Sequence, residues 1–249
     1  MTRLSWDAIG ERVFETGVDH GVLYVDDTGV PWNGLTSVSE SSSGGQLSEY
    51  YLDGLKYLQV LSGEEFIATI DAFTYPDEFA ACDGTRPVGH GLFMTHQPRK
   101  SFGLCYRSKV GNDVRGTELG FKLHLIYNAL AAPSQRQRNS LSENVDPINF
   151  SWQITTKAPD VVGFKPTAHL VIDSRDTPSD LMASILDILY GTDDADPRQP
   201  SVGEIIAVFN SYAASILDGG HLADTVFNEF DAGATPTAPQ TTLISGGIP

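Results

Sequence analysis

The sequence predicts a mainly β, α+β protein: an antiparallel β-sandwich with one or two helices packed beside it. Three observations carry that expectation. Apolar and polar residues alternate with period 2 through the middle of the chain, the mark of strands with one face in a core and one in water. Sustained helical spacing of apolar residues comes late, in two stretches after residue 176. The 249 residues, 41% hydrophobic and 19% charged, carry enough apolar surface for one or two cores. Many strands with few helices fit a sandwich.

Each element follows from its residues. From Ser5 to Gly17, Trp6, Ile9 and Val13 share one side of a brief helix, and Gly17 suits its end. Val22 to Val25 reads as a strand, closed by the turn Asp26-Asp27-Thr28-Gly29. Leu35 to Glu40 is a strand, and Ser41-Ser42-Ser43-Gly44-Gly45 a flexible loop. Leu55 to Leu61 and Phe66 to Phe73 are further strands.

The clearest alternation comes next. Phe102, Leu104 and Tyr106 oppose Cys105, Arg107 and Lys109; Leu119, Phe121, Leu123, Leu125 and Tyr127 oppose Lys122, His124 and Asn128. Phe150, Trp152 and Ile154 oppose Ser151, Gln153 and Thr155. In each case the second set is expected on a wet face. Two long polar loops, Cys82 to Lys100 and Pro133 to Pro147, separate these strands, and loops of that length usually serve a function.

For the first late helix, Thr177 caps, Pro178 fits the first turn and Asp180 suits the positive end, while Leu181, Met182, Ile185, Leu186 and Leu189 form the stripe. Val202, Ile205, Ile206 and Phe209 place a second helix over 202–210. Beyond it, Leu217-Asp218-Gly219-Gly220, Phe230-Asp231-Ala232-Gly233 and Ile244-Ser245-Gly246-Gly247 recur loosely around the linker-like Thr235-Pro236-Thr237-Ala238-Pro239. The expected organisation is a domain over 1–212 and a Gly/Thr/Pro-rich extension over 213–249.

Charge and composition exclude several functions. The net charge of -16 opposes wrapping of nucleic acid, whose phosphates require Lys and Arg. The charge is also segregated: residues 1–80 carry 14 acids and 3 bases, 81–170 carry 6 acids and 11 bases, and 171–249 carry 12 acids and 2 bases. A basic middle can therefore meet acidic ends, within one chain or between copies. The longest apolar run, Leu123 to Ala132, is broken by His124 and Asn128 and falls short of the ~18 residues a membrane span needs. Arg3 is followed by Trp6, Asp7 and Glu11, which is no signal peptide, and Cys82 and Cys105 alone make no disulfide framework.

No catalytic pattern emerges. G-x-S-x-G, H-E-x-x-H and paired C-x-x-C are all missing. Gly111 and Gly116 have phosphate-loop spacing, but Thr117-Glu118 follows where a cation is needed. Asp193-Asp194-Ala195-Asp196 lacks the glycine and closing glutamate of a calcium loop. No two histidines stand at i, i+4, so each is expected to sit alone; no metal, cofactor or catalytic residue is assigned.

One resemblance joins these pieces. GVDHGVLY (Gly17–Tyr24), PWNGLTSVSES (Pro31–Ser41), FTYPDEFAACDG (Phe73–Gly84), RKSFGLCYRSKVGND (Arg99–Asp113) and GFKLHLIYNALAAPS (Gly120–Ser134) resemble the major tail tube proteins of long-tailed, siphovirus-type bacteriophages, closest to those of actinobacterial phages. FSWQITTKAP (Phe150–Pro159), KPTAHLVID (Lys165–Asp173) and LYGT (Leu189–Thr192) fit in the same order, so the likeness covers about residues 10–210. It implies a structural virion protein with no enzymatic activity, made in the host cytoplasm. Six copies would form a ring whose strands join in a shared β-barrel, and rings would stack into a tube through which genomic DNA passes without specific binding. Its partners would be further copies and other tail proteins: tape measure, tail terminator and distal tail. The charge map adds an expected interface, Arg86, Arg99, Lys100, Arg107 and Lys109 meeting acids such as Glu64, Glu65, Asp77, Glu78 and Asp193 to Asp196 of adjacent subunits. A sugar-binding sandwich on the virion is the alternative, with Trp6, Trp32 and Trp152 as its aromatic candidates.

Overall fold

The computed structural model describes residues 6–138, 140 and 147–218. Twelve strands and three helices fill them. The strands are β1 (Val13–Val25), β2 (Thr28–Pro31), β3 (Leu35–Gly44), β4 (Leu47–Leu52), β5 (Leu55–Leu61), β6 (Glu64–Ala72), β7 (Arg86–Gly89), β8 (Leu92–Met94), β9 (Phe102–Asn112), β10 (Gly116–Ala131), β11 (Phe150–Thr156) and β12 (His169–Asp173). The helices are α1 (Phe79–Cys82), α2 (Ser179–Tyr190) and α3 (Val202–Asp218). The fold is thus a β-rich α+β fold with antiparallel pairing throughout the main sheet.

That sheet runs β2-β1-β9-β10-β11-β6-β3, with β12 also paired to β10. It curls over its own core: Leu23 of β1, Leu104 of β9 and Ile126 of β10 join Ile70 of β6 and Trp152 and Ile154 of β11 in one buried cluster. Phe79 of α1 fills the centre, edge-on to Phe102 and Trp152 at 5.3 and 5.0 Å. Such pairs contribute about 0.5–1.5 kcal/mol each beyond area burial. Asn128 bends β10 at positive φ, where its register with β9 slips, so that Ala129 and Ala131 join Ile126 in the core.

The predicted wet face of the central strands is only partly wet. Cys105 and His124, both expected on it, are buried, because both sides of β9 and β10 are covered. One cover is α2, whose Leu181, Ile185 and Leu189 are buried. Tyr24 Oη donates to Leu189 O at 2.7 Å, and Gln199 Nε2 donates to Ile126 O at 2.9 Å, tying this helical region to β1 and β10.

Several expectations are corrected. Residues 6–12 form no helix, and Trp6 and Ile9 are exposed. Ser41 to Gly44 are not a loop but the end of β3, because Ser41↔Ile67, Ser42↔Phe66 and Ser43↔Glu65 satisfy their backbone groups against β6. The polar stretch from Cys82 to Lys100 contains the β7–β8 hairpin. Pro178, not Thr177, stands at the α2 N-cap position; Thr177 Oγ1 donates instead to Asp173 O at 2.8 Å. The second late helix reaches Asp218.

By packing, the chain divides into units of 1–209 and 210–249. Of the loose repeats, all but Leu217-Asp218 lie outside the described residues. Among the described residues, no helix is long and apolar enough to cross a membrane.

Candidate functional site

Three features stand out: a projecting ribbon, a buried aspartate and a cluster of histidines. The ribbon is built from β3–β6 and continues beyond the main sheet. Gly45 N donates to Gly63 O, Ser62 N donates to Gln46 O, and β4 then pairs with β5 from Leu47↔Leu61 to Leu52↔Leu55. Gly44 and Gly45 both have positive φ at the junction, and a Cβ on Gly44 would meet Gly63 O at 2.3 Å, so the close approach requires glycine there. All thirteen β4 and β5 residues are exposed, including Leu55 at 74% and Tyr57 at 75%. The β7–β8 hairpin likewise exposes Val88, Leu92, Phe93 and Met94.

Asp83, just after α1, is 8% exposed. Trp152 Nε1 donates to its Oδ1 at 3.2 Å, Arg99 Nη1 stands 3.4 Å from the same oxygen, and Arg136 pairs with Oδ2. Arg99 also donates to Ala131 O at 3.1 Å, and the Arg136 guanidinium lies over the Phe150 ring. Two polar loops and β11 are thereby pinned to one carboxylate.

The third feature brings together residues that the sequence places far apart. The β10–β12 register sets Leu125 opposite Leu170 and so carries His169 beside His124. Their Nε2 and Nδ1 atoms are 3.2 Å apart. Glu40, on β3, reaches across to place Oε1 3.1 Å from His124 Nδ1, while Tyr106 Oη donates to the same carboxylate. The His124 hydrogen bond is the main force holding the Glu40 carboxyl at about 2, against the upward push of burial. Burial in turn lowers His169. On the far side of the ring, His124 Nε2 lies 3.0 Å from Ser108 Oγ, which donates to Glu15 Oε1 at 2.5 Å. The histidines are therefore not solitary, and Glu40–His124–His169 could hold a metal ion. No local spacing could have revealed this, because three strands from distant parts of the chain supply the atoms.

The predicted interface residues are placed as follows. Arg107 Nε pairs with Asp19 at 2.9 Å, its guanidinium lies over Phe121, and Lys109 Nζ is 3.6 Å from the same aspartate. Lys100 meets Asp26 at 2.6 Å and Arg99 meets Asp83, so these four cations have acids within their own chain. Arg86 is exposed and has no ion pair with a described residue. Glu64, Glu65, Asp77 and Glu78 are exposed, and Asp77 and Glu78 border a groove of about 390 Å³ with Tyr75 and Pro76. Asp193 to Asp196 form an exposed turn after α2 in which Thr192 N donates to Ala195 O at 2.9 Å. Of the three tryptophans, Trp32 and Trp152 are in the core; Trp6 is 78% exposed. Burial pushes the Cys82 thiol up to about 12, too high for a nucleophile near neutral pH.

Comparison with known proteins adds little. No family model matches the chain. No curated protein matches it. Among solved structures, it is similar to a chain of the sheath–tube complex of an extracellular contractile injection system, PVC, in the extended state. That match has 13% identity and a TM-score of 0.31, covering 68% of this chain and 94% of the other. A second, from the sheath/tube terminator of the same kind of system, has 14% identity and a TM-score of 0.31, covering 68% and 99%. Likeness at this level decides neither fold nor function.

Proposed function

We propose that the protein is a structural subunit that assembles with copies of itself into stacked rings forming the tail tube of a long-tailed bacteriophage. One observation carries the reading: the β4–β5 hairpin exposes nine large apolar side chains and buries none. A two-stranded hairpin is marginal in water, and an apolar patch of this kind marks an interaction site. The occupant proposed is a second copy, because the ribbon is an extension of the subunit's own sheet with free edges ready to pair. The ordered string of sequence resemblances supports the same reading. Six-fold rings, a shared barrel, passage of DNA, the other tail proteins as partners, and an extension over 213–249 that serves stacking all belong to it. Within it, Arg86, Lys100 and Lys109 have the most available charge for Glu64, Glu65, Asp77 and Glu78 of a neighbour, with Arg99 and Arg107 flanking them.

Negative-stain electron microscopy and light scattering test the proposal. The wild type is expected to form rings or tubes as concentration rises. A variant with Leu47–Leu61 replaced by Asn-Gly keeps the Gly45–Gly63 and Gln46–Ser62 bonds, so it should fold normally and remain monomeric. Wild type that stays monomeric at high concentration without an assembly factor, or tubes formed by the truncated ribbon, would overturn the reading.

A further inference from the structure

We propose that Glu40, His124 and His169 form a binding site for a divalent transition-metal ion of the Zn²⁺ class. The site is independent of the ribbon and does not rest on the tail-tube reading. Its donor set is right: two imidazole nitrogens and a carboxylate, with the ligating atoms all within 4.8 Å of one another. Zn²⁺ binds such ligands at about 2.0–2.1 Å, so the edges of its tetrahedron are about 3.3–3.4 Å long. Two edges are nearly present already, at 3.1 Å between Glu40 Oε1 and His124 Nδ1 and 3.2 Å between His124 Nδ1 and His169 Nε2.

The hydrogen-bond network fixes which nitrogen faces the gap. Ser108 Oγ gives its only proton to Glu15, so it can interact with His124 only by accepting from Nε2–H at 3.0 Å. Nδ1 therefore faces the other two ligand-type atoms, Glu40 Oε1 at 3.1 Å and His169 Nε2 at 3.2 Å, and its bond to the carboxylate is carried either by a proton on Nδ1 or by a metal ion in that proton's place. The surrounding shell is the one metal sites use: the imidazole's other nitrogen is backed by a hydroxyl and carboxylate, and Tyr106 Oη orients the ligating carboxylate. Phe66, stacked on His169 at 4.5 Å, steadies the third ligand.

An ion has a way in. His169 borders a groove of about 990 Å³ that also includes Thr167, Thr156 and Lys165. Three protein ligands leave one tetrahedral position for water. Entry would require small rotations that turn both nitrogens toward the ion, displacing the proton held between them.

The test uses the full-length protein stripped with EDTA and titrated with ZnCl₂ by isothermal calorimetry, with Co²⁺ absorption reporting coordination. The expected result is one Zn²⁺ per chain, a rise in melting temperature reversed by EDTA, and the intense visible bands of low-coordinate Co²⁺. Glu40→Gln and His169→Ala should each abolish these signals, while His90→Ala and His96→Ala leave them unchanged. Ser108→Ala, which keeps all three ligands, should weaken binding about 10–100-fold and so serves if a ligand variant misfolds. A Zn²⁺-insensitive melting temperature with no binding heat means that only a proton fills the gap and overturns the proposal. Binding that survives both ligand substitutions overturns it equally, by placing the ion elsewhere.

Discussion

Asp83 and Glu40 are both carboxylates beside aromatic side chains, yet their surroundings are opposite. Around Asp83 the side-chain partners among the described residues are donors: two guanidinium groups and an indole N–H converge on an oxygen pair whose side chain is 6% exposed. Around Glu40, Tyr106 donates and His124 Nδ1 stands 3.1 Å away, but the two imidazoles carry ring nitrogens that act as donor or acceptor according to tautomer, and the carboxylate side chain is 33% exposed. The first arrangement is electrostatically complete and can only hold loops together. The second sets a carboxylate beside two imidazoles, each with a nitrogen that can give up a proton, and so offers ligands to a cation. A buried charge matched by donors is scaffold; a partly open set of lone pairs can bind.

The comparison breaks most readily at Asp83. Asp83→Ala should destabilise the protein by about 3–5 kcal/mol, because it leaves Arg99 and Arg136 without their carboxylate and Trp152 without an acceptor. That is a large part of the roughly 5–15 kcal/mol typical of a domain. Urea unfolding should show a lower midpoint with an unchanged slope. Asp83→Asn retains an acceptor for Trp152 and should cost less. A loss below about 1 kcal/mol for the alanine variant would remove the contrast between the two carboxylates.

At Glu40 a smaller effect is expected. Without metal, Glu40→Gln should cost about 1 kcal/mol, since an amide oxygen still accepts from Tyr106 and the site is partly open to water. The difference between the two sites is then sharpest in their response to ligand. Zn²⁺ should raise the melting temperature of Asp83→Asn as much as that of the wild type, and leave that of Glu40→Gln unmoved. Differential scanning fluorimetry measures both.

The elements most legible in the sequence were those whose residues alternate. Leu55 to Leu61 is a strand with those bounds, and Phe102 to Tyr106, Leu119 to Tyr127 and Phe150 to Thr155 all lie in strands. Alternation identifies a strand but does not say what covers its second face, which is why His124 and Cys105 proved buried. Turn chemistry misled at Ser41 to Gly44, where pairing with β6 outweighed a loop-like composition. The ion pairs and the histidine cluster depend on register. Asp19 stands directly opposite Arg107 in the β1–β9 ladder, 88 residues apart in the chain, and His124 and His169 are 45 apart. A sequence read locally contains the residues of such sites but not their meeting.

The smallest expected effect concerns Asp19, and it tests which cations remain available to a neighbour. Burial pushes the Asp19 carboxyl up, but the hydrogen bond from Arg107 and its charge outweigh this and hold it below its ordinary value of 3.8. A depressed carboxylate stabilises the fold fully above its unfolded value, and that stabilisation is lost as the pH falls below about 3.8 and on through the lower folded value. Asp19→Asn should therefore cost about 1 kcal/mol or less near neutral pH, and its deficit relative to wild type should shrink as the pH falls below 4. Arg107, with its side chain 17% exposed and already paired to Asp19, has little charge left for another subunit. Lys109 is 48% exposed and stands farther from the same aspartate, so it retains more. Lys109→Glu should slow assembly at low salt more than Arg107→Gln, and the gap should close as salt screens exposed charges within about 10 Å at 0.1 M. Light-scattering growth curves at several ionic strengths measure this, and an equal response from the two variants would mean that pairing within the chain does not decide which charges reach a neighbour.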